Sequence, residues 1–216
     1  PHEAERWQRR ALAMARRVHG DVHEETARRL SNLGVTLLDL GAHAEAERLF
    51  AEAVSIDRRV FAGPNAGAAP RLHNLGTVQL RLGRLEEADR HLRAALDIGT
   101  ALGLDRSPGH GYTLHQLARL RELRGEAAQA LATARQAARV MDGALPPEHS
   151  RRIETELQVA RMELPEASDP QPVRRQKAAA ILRRVEVLQA RVPASDPALQ
   201  AYARQVRGMA LAAGGQ

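Results

Sequence analysis

Apolar residues recur along this chain three and four positions apart, the spacing that lines one face of a helix, and glycine interrupts the recurrence at regular intervals. Leu30, Leu33, Leu37 and Leu40 precede Gly41, and Ala46, Leu49, Phe50, Ala53 and Val54 follow it. The pattern predicts a first helix over 24–40, a left-handed glycine cap at Gly41, and a second helix over 43–60. The design then repeats. Leu72, Leu75 and Leu82 stand before Gly83, with Ala88, Leu92, Ala95 and Leu96 after it. Leu114, Leu117, Leu120 and Leu123 stand before Gly125, with Ala130, Leu131, Ala134 and Ala137 after it.

The period is 42 residues. Gly41, Gly83 and Gly125 are each followed at plus five by alanine (Ala46, Ala88, Ala130) and at plus twelve by another (Ala53, Ala95, Ala137). Three coincident glycines alone would arise by chance about once in 3,000 trials at an ordinary glycine frequency. Small residues at Gly34, Gly76, Ala118 and Ala160 keep the same register and let two helices of a hairpin approach closely. Leu49, Phe50 and Leu92 are expected to fill the space between successive hairpins. Stacking is required, because one hairpin cannot bury its own apolar face.

The register runs off both ends. Ala4 and Ala11 occupy the two alanine positions, so 3–18 reads as the second helix of a truncated unit. With Pro1 rather than methionine in first place, the expectation is a segment of a longer protein. Forwards, 149–164 reads as a further first helix, with an irregular proline-flanked turn over 165–172. A displaced partner helix over 173–192 and a final helix to about 212 follow. The expected organisation is a repeat array over 3–164 and irregular capping helices over 165–216, since a terminal repeat needs a polar outer face.

Composition narrows the picture further. Aromatic residues make up only 2% of the chain, which argues for thin, closely packed helices and against strands. The net charge of +6 and pI near 10.9 point toward anionic partners. However, the basic residues are 31 Arg and a single Lys, and they alternate with acids, as in Arg84 to Arg90. Such alternation is a solvated helix face. Nucleic acid is therefore the third-ranked partner class, and it predicts affinity that falls steeply with salt. The absence of cysteine removes disulfides, thiolate metal sites and thiol nucleophiles. The sequence holds no signal peptide and no run of about 20 apolar residues. The expected location is cytoplasmic, with a membrane-anchored parent protein as the alternative.

The stretch Asn32-Leu33-Gly34, then Gly41, Ala46, Phe50 and Ala53, resembles the tetratricopeptide pattern of small and large positions. The resemblance recurs from Asn74-Leu75-Gly76 to Ala95, and less fully from Gln116-Leu117-Ala118 to Ala137. The generic repeat has 34 residues. The longer period here resembles the kinesin-light-chain type, and traces of its inter-repeat loop stand at Gly20-Asp21-Val22-His23, Gly63-Pro64-Asn65 and Pro147-Glu148-His149. The resemblance implies an all-α, right-handed superhelical solenoid. In composition the chain is similar to repeat regions of bacterial signalling proteins such as serine/threonine kinases, although no kinase motif occurs in it.

The family likeness also implies a peptide-binding concave wall made by the first helices. Asn32 and Val35 would line it from the first repeat, His73, Asn74 and Thr77 from the second, and Tyr112, His115, Gln116 and Arg119 from the third. Arg28 and Arg161 would stand near its two ends. Amides can pair with a peptide backbone, and arginine can clamp a carboxylate or phosphate. The lysine clamp for C-terminal carboxylates is missing. Nine histidines raise the question of metal, but His73 and His115 lack cysteine or carboxylate company, and His19 and His23 straddle Gly20. His23-Glu24-Glu25 lacks the second histidine of a zinc protease helix, and Pro108-Gly109-His110-Gly111 follows no strand. No metal, no cofactor and no catalytic residue is expected. The leading function is a non-catalytic scaffold that binds a peptide or partner helix. The alternative is a structural spacer or dimerisation arm that self-associates through 3–18, where the lone Trp7 lies.

Overall fold

The computed structural model describes residues 2–215, and among them it is all-helical. The helices are α1 (His2–His19), α2 (Glu24–Asp39), α3 (His43–Val60), α4 (Ala68–Arg81) and α5 (Leu85–Ala101). They continue with α6 (Pro108–Leu123), α7 (Ala127–Ala144), α8 (Ser150–Met162), α9 (Gln171–Arg191) and α10 (Pro197–Gly214). The chain divides into two compact units, one through Asp105 with α1–α5, the other from Arg106 with α6–α10.

Each hairpin closes in the same way. Gly41, Gly83 and Gly125 take φ of +78°, +75° and +76°. Beside the first, Ala42 N–H donates to the Leu37 carbonyl and Gly41 N–H to the Leu38 carbonyl. Arg84 and Gly83 repeat this pair on Gln79 and Leu80, and Glu126 and Gly125 on Arg121 and Glu122. These are Schellman caps, which satisfy the last carbonyls of a helix and need a left-handed residue that only glycine adopts cheaply. The entry loops are also related. His23 and His149, three periods apart, each use Nδ1 to cap the next helix, accepting from Glu25 N–H at 3.1 Å and Arg151 N–H at 3.2 Å.

In the N-terminal unit, α1 packs on α2, α2 on α3, α3 on α4 and α4 on α5. Leu30, Leu33, Leu37, Phe50, Leu72 and Leu75 form its core. A Cβ placed on Gly34 would stand 2.7 Å from the Phe50 ring, and one on Gly76 2.8 Å from Leu92. Phe50 and Leu92 thus seat against the small residue of their own hairpin. Phe50 also shares one core cluster with Leu72 and Leu75 of the next hairpin, in keeping with the expectation that it fills the space between hairpins. Asp57 and Arg71 form an ion pair at 2.5 Å with both side chains buried. Burial pushes the Asp57 carboxyl above its ordinary range, and Arg71 opposes the shift.

In the C-terminal unit, α6 pairs with α7, α7 with α8, and α9 packs mainly on α10. Ile153, Leu157, Ile181, Val185, Leu199 and Val206 build a core among α8, α9 and α10. The sequence placed α9 over 173–192 and the last helix to about 212, within two residues of the observed ends. Among the described residues no helix is long and apolar enough to cross a membrane.

Candidate peptide-binding cleft

The residues named for a peptide wall fall in both units, and each set is described within its own. On α2, Arg28 and Asn32 are exposed, and Arg28 is tied to Glu25 at 2.5 Å. On α4, His73 and Asn74 are half-buried, while Thr77 is buried with its hydroxyl oxygen unpartnered. Val35 is partly exposed.

In the C-terminal unit the first helices α6 and α8 flank a cleft of about 460 Å³ that α10 closes. His115 and Arg119 on α6 and Arg161 on α8 line it, as do Glu122, Leu123, Glu154, Gln158, Tyr202, Gln205 and Met209. Tyr112 and Gln116 do not line this cleft. Tyr112 stacks on His149 with ring centres 6.4 Å apart, and Gln116 is buried with its carbonyl oxygen unpartnered.

One wall of the cleft is held by a clasp. Arg161 Nη2 donates to Glu122 Oε2 at 2.6 Å, and its Nε donates to Tyr202 Oη at 3.2 Å. Glu122 strengthens the guanidinium, holding its pKa above the ordinary arginine value, while burial raises that of the Tyr202 phenol. The clasp ties α6, α8 and α10 together.

The floor is polar and incompletely satisfied. His115 is 3% exposed, and burial drives its pKa from 6.5 down to about 4, with Arg119 and Arg151 acting in the same direction and Glu154 opposing. Its ring is therefore neutral near pH 7. Thr155 Oγ1 donates to the Arg151 carbonyl at 2.9 Å and lies 2.9 Å from His115 Nδ1. The direction of the Thr155–His115 hydrogen bond follows the ring tautomer, and in either form Nε2 has capacity for one more hydrogen bond. Nε2 has no hydrogen-bond partner and faces Glu154 Oε1 at 3.7 Å. Gln158, at 2% exposure, leaves both its amide nitrogen and its amide oxygen unpartnered. A buried amide without partners is costly, so two such groups lining one cleft mark a place where an incoming molecule gains hydrogen bonds. Leu123 and Met209, both substantially exposed, add apolar surface.

The sequence missed Gln158, although the signal was present. Asn32, Asn74 and Gln116 are 42 residues apart, and the next step of that series is Gln158. Arg119 and Arg161 are related by the same step. Tyr202, Gln205 and Met209 carry no such signal, because α10 lies outside the period. Among the described residues no cluster of three or more histidine or acidic side chains could hold a metal ion.

The tetratricopeptide repeat profile matches residues 1–59 and 69–142, more than half of the chain. The chain belongs to the tetratricopeptide repeat family. No curated protein matches it in sequence. Among solved structures it is similar to the nearly identical TPR-like repeats of a Podosopora anserina protein described as a kinesin light chain. That likeness has a TM-score of 0.69 and 22% identity, and it covers 90% of this chain and 89% of that one. BtubC (BKLC) from P. vanneervenii gives a TM-score of 0.76 at 18% identity, over 99% of this chain and 84% of that one. The apo form of RapI gives 0.60 at 17% identity, over 97% and 75%. At these identities the likeness is one of fold. Tetratricopeptide repeats are in general non-catalytic, and membership of the family supports a protein–protein interaction scaffold.

Proposed function

We propose that this tetratricopeptide array captures an extended peptide segment of a partner protein, with the α6/α8/α10 cleft as the principal site. The observation that carries the reading is the unpartnered amide of Gln158 beside the unpartnered Nε2 of His115. A side-chain amide offers one donor and one acceptor direction, which matches the C=O and N–H of a peptide backbone. Arg119, exposed at the cleft, provides a cation for an acidic side chain. Leu123 and Met209 offer a seat for an apolar one. Arg28, Asn32, His73, Asn74 and Thr77 are proposed for the same role in their own unit, and Tyr112 and Gln116 as supports of the α6 wall. The bacterial signalling setting and the cytoplasmic location are proposals that rest on the resemblance in composition and repeat type.

The test is capture of partner proteins by the immobilised chain, compared with a variant carrying Asn74→Ala and Arg119→Ala. The expected result is loss of the captured species with an unchanged melting temperature. An identical capture profile would reject the cleft as the site.

A second reading, a dimerisation arm, is favoured by α1. Trp7, Met14 and Val18 are 60%, 51% and 62% exposed and form a stripe separate from the buried Leu12 and Ala15. Sedimentation at several concentrations decides it. A dimer abolished by Trp7→Ala, with no captured peptide, would replace the first reading.

A further inference from the structure

The positive charge of this chain is not spread along it. Residues 1–170 hold 24 arginines and 24 acidic residues, so the alternation of signs seen in the repeats leaves that stretch neutral. Residues 171–216 hold eight basic and two acidic residues, and the whole surplus of +6 lies there. They form α9 and α10, which pack on each other outside the 42-residue period. Lys177, Arg184 and Arg207 are tied to Asp169, Glu163 and Glu186. Arg175, Arg183, Arg191 and Arg204 are exposed and make no ion pair with a described residue. Arg183 stands opposite the buried row Ala178, Ile181, Val185 and Leu188 of α9, and Arg204 lies away from Leu199, Ala203, Val206 and Ala210 of α10. The cap thus turns unneutralised cations outward on two adjacent helices.

We infer that the outer face of the α9–α10 hairpin binds the phosphate backbone of duplex nucleic acid, without reading its sequence. A duplex presents one charge per about 1.7 Å of its axis, and Arg175 to Arg191 spans about 24 Å of helix, so the row meets several phosphates at once. Seven of the eight cations are arginine, which clasps phosphate oxygens through two parallel N–H donors. A single strand is disfavoured, because it needs aromatic platforms for its bases. Tyr202, the one aromatic residue after position 170, belongs to the peptide cleft. A lipid surface is disfavoured too, because an interfacial helix buries Trp, Phe or Leu, whereas the large apolar residues that α9 exposes are Val173 and Val187. None of the four unpaired arginines lines the cleft between α6, α8 and α10, so this inference survives or falls separately from peptide capture.

The test is fluorescence anisotropy of a fluorescein-labelled DNA duplex titrated with the full chain. Affinity should fall about a hundredfold between roughly 50 and 200 mM salt, the loss expected when four phosphates are neutralised. A variant carrying Arg175→Gln, Arg183→Gln and Arg204→Gln should bind about tenfold or more weakly at the lower salt. Its slope of log Kd against log salt should be flatter by about three. A control carrying Arg48→Gln, Arg59→Gln and Arg90→Gln removes the same charge from exposed positions in the repeats, and it should bind nearly as wild type does. Equal weakening by the two sets would reduce the effect to net charge and overturn the site. Absent or salt-insensitive binding overturns it as well, as does tighter binding of the corresponding single strand. Retention on phosphatidylglycerol vesicles without duplex binding would make a membrane the occupant instead.

Discussion

Arg161 on α8 reaches Glu122 on α6 at 2.6 Å, and these two residues fasten neighbouring first helices across the mouth of the cleft. Both are partly exposed, so solvent discounts the pair to about 1 kcal/mol or less. A double-mutant cycle with Arg161→Ala and Glu122→Ala, read by urea denaturation, should return a coupling of that size. Because Tyr202 also receives a bond from Arg161, Arg161→Ala should cost more than Glu122→Ala.

Gln158 should trade stability for binding. Its amide is buried and unpartnered, so Gln158→Met, close in volume and without the polar atoms, should stabilise the chain by about 1 kcal/mol. The same variant should lose peptide capture. A melting temperature that falls would show that the amide is already satisfied in the free protein.

His115 makes stability depend on acid. Its folded pKa of about 4 lies below the ordinary 6.5, so the folded state disfavours the protonated ring. The stability it contributes is fully present above pH 6.5 and is lost as pH falls from there toward 4. The loss is on the order of 3 kcal/mol. Chemical denaturation between pH 7 and 4 should show this decline, and His115→Leu should flatten it relative to wild type.

The contact between Gly34 and Phe50 gives a reversal of sign. Gly34→Ala puts a methyl 2.7 Å from the ring, and the overpacking should cost about 1–2 kcal/mol net of the gain in helix propensity. In a Phe50→Leu background the clash disappears. There the same change should stabilise by about 0.5–1 kcal/mol.

Arg71→Met isolates a buried carboxylate. Removing the partner of Asp57 should cost about 3 kcal/mol at neutral pH. Burial already raises the Asp57 pKa, and losing Arg71 raises it further. A raised carboxyl contributes stability below its unfolded pKa and loses it as pH climbs through the folded value. The deficit of Arg71→Met should therefore be small near pH 4 and grow toward pH 7, as read from melts at each pH.

Which parts were legible in the sequence follows from what the period encodes. It specifies the glycine caps, the small residues at Gly34 and Gly76, and hence helix ends such as His43–Val60. Local chemistry decides those, and local chemistry repeats. The contents of the cleft depend on more. Leu123 reads as one of the apolar row before Gly125, yet it is 62% exposed, because it falls at the last turn of α6, where the cleft opens. His115 reads as a polar lining residue, but it is buried against Thr155, a contact across 40 positions that no spacing rule announces. Tyr202 and Met209 come from a helix outside the register.

The three Schellman caps share one hydrogen-bond pattern, and each lock of large side chain on small residue lies inside a single hairpin. A hairpin is in that sense a cassette with standard joints. Excising 42–83, so that Gly41 runs directly into Arg84, would restore the same left-handed joint between an outgoing and an incoming helix. Lineages can thus lengthen or shorten such a chain by whole modules while the splice points go unaltered, and selection is left to act on what each inner wall displays.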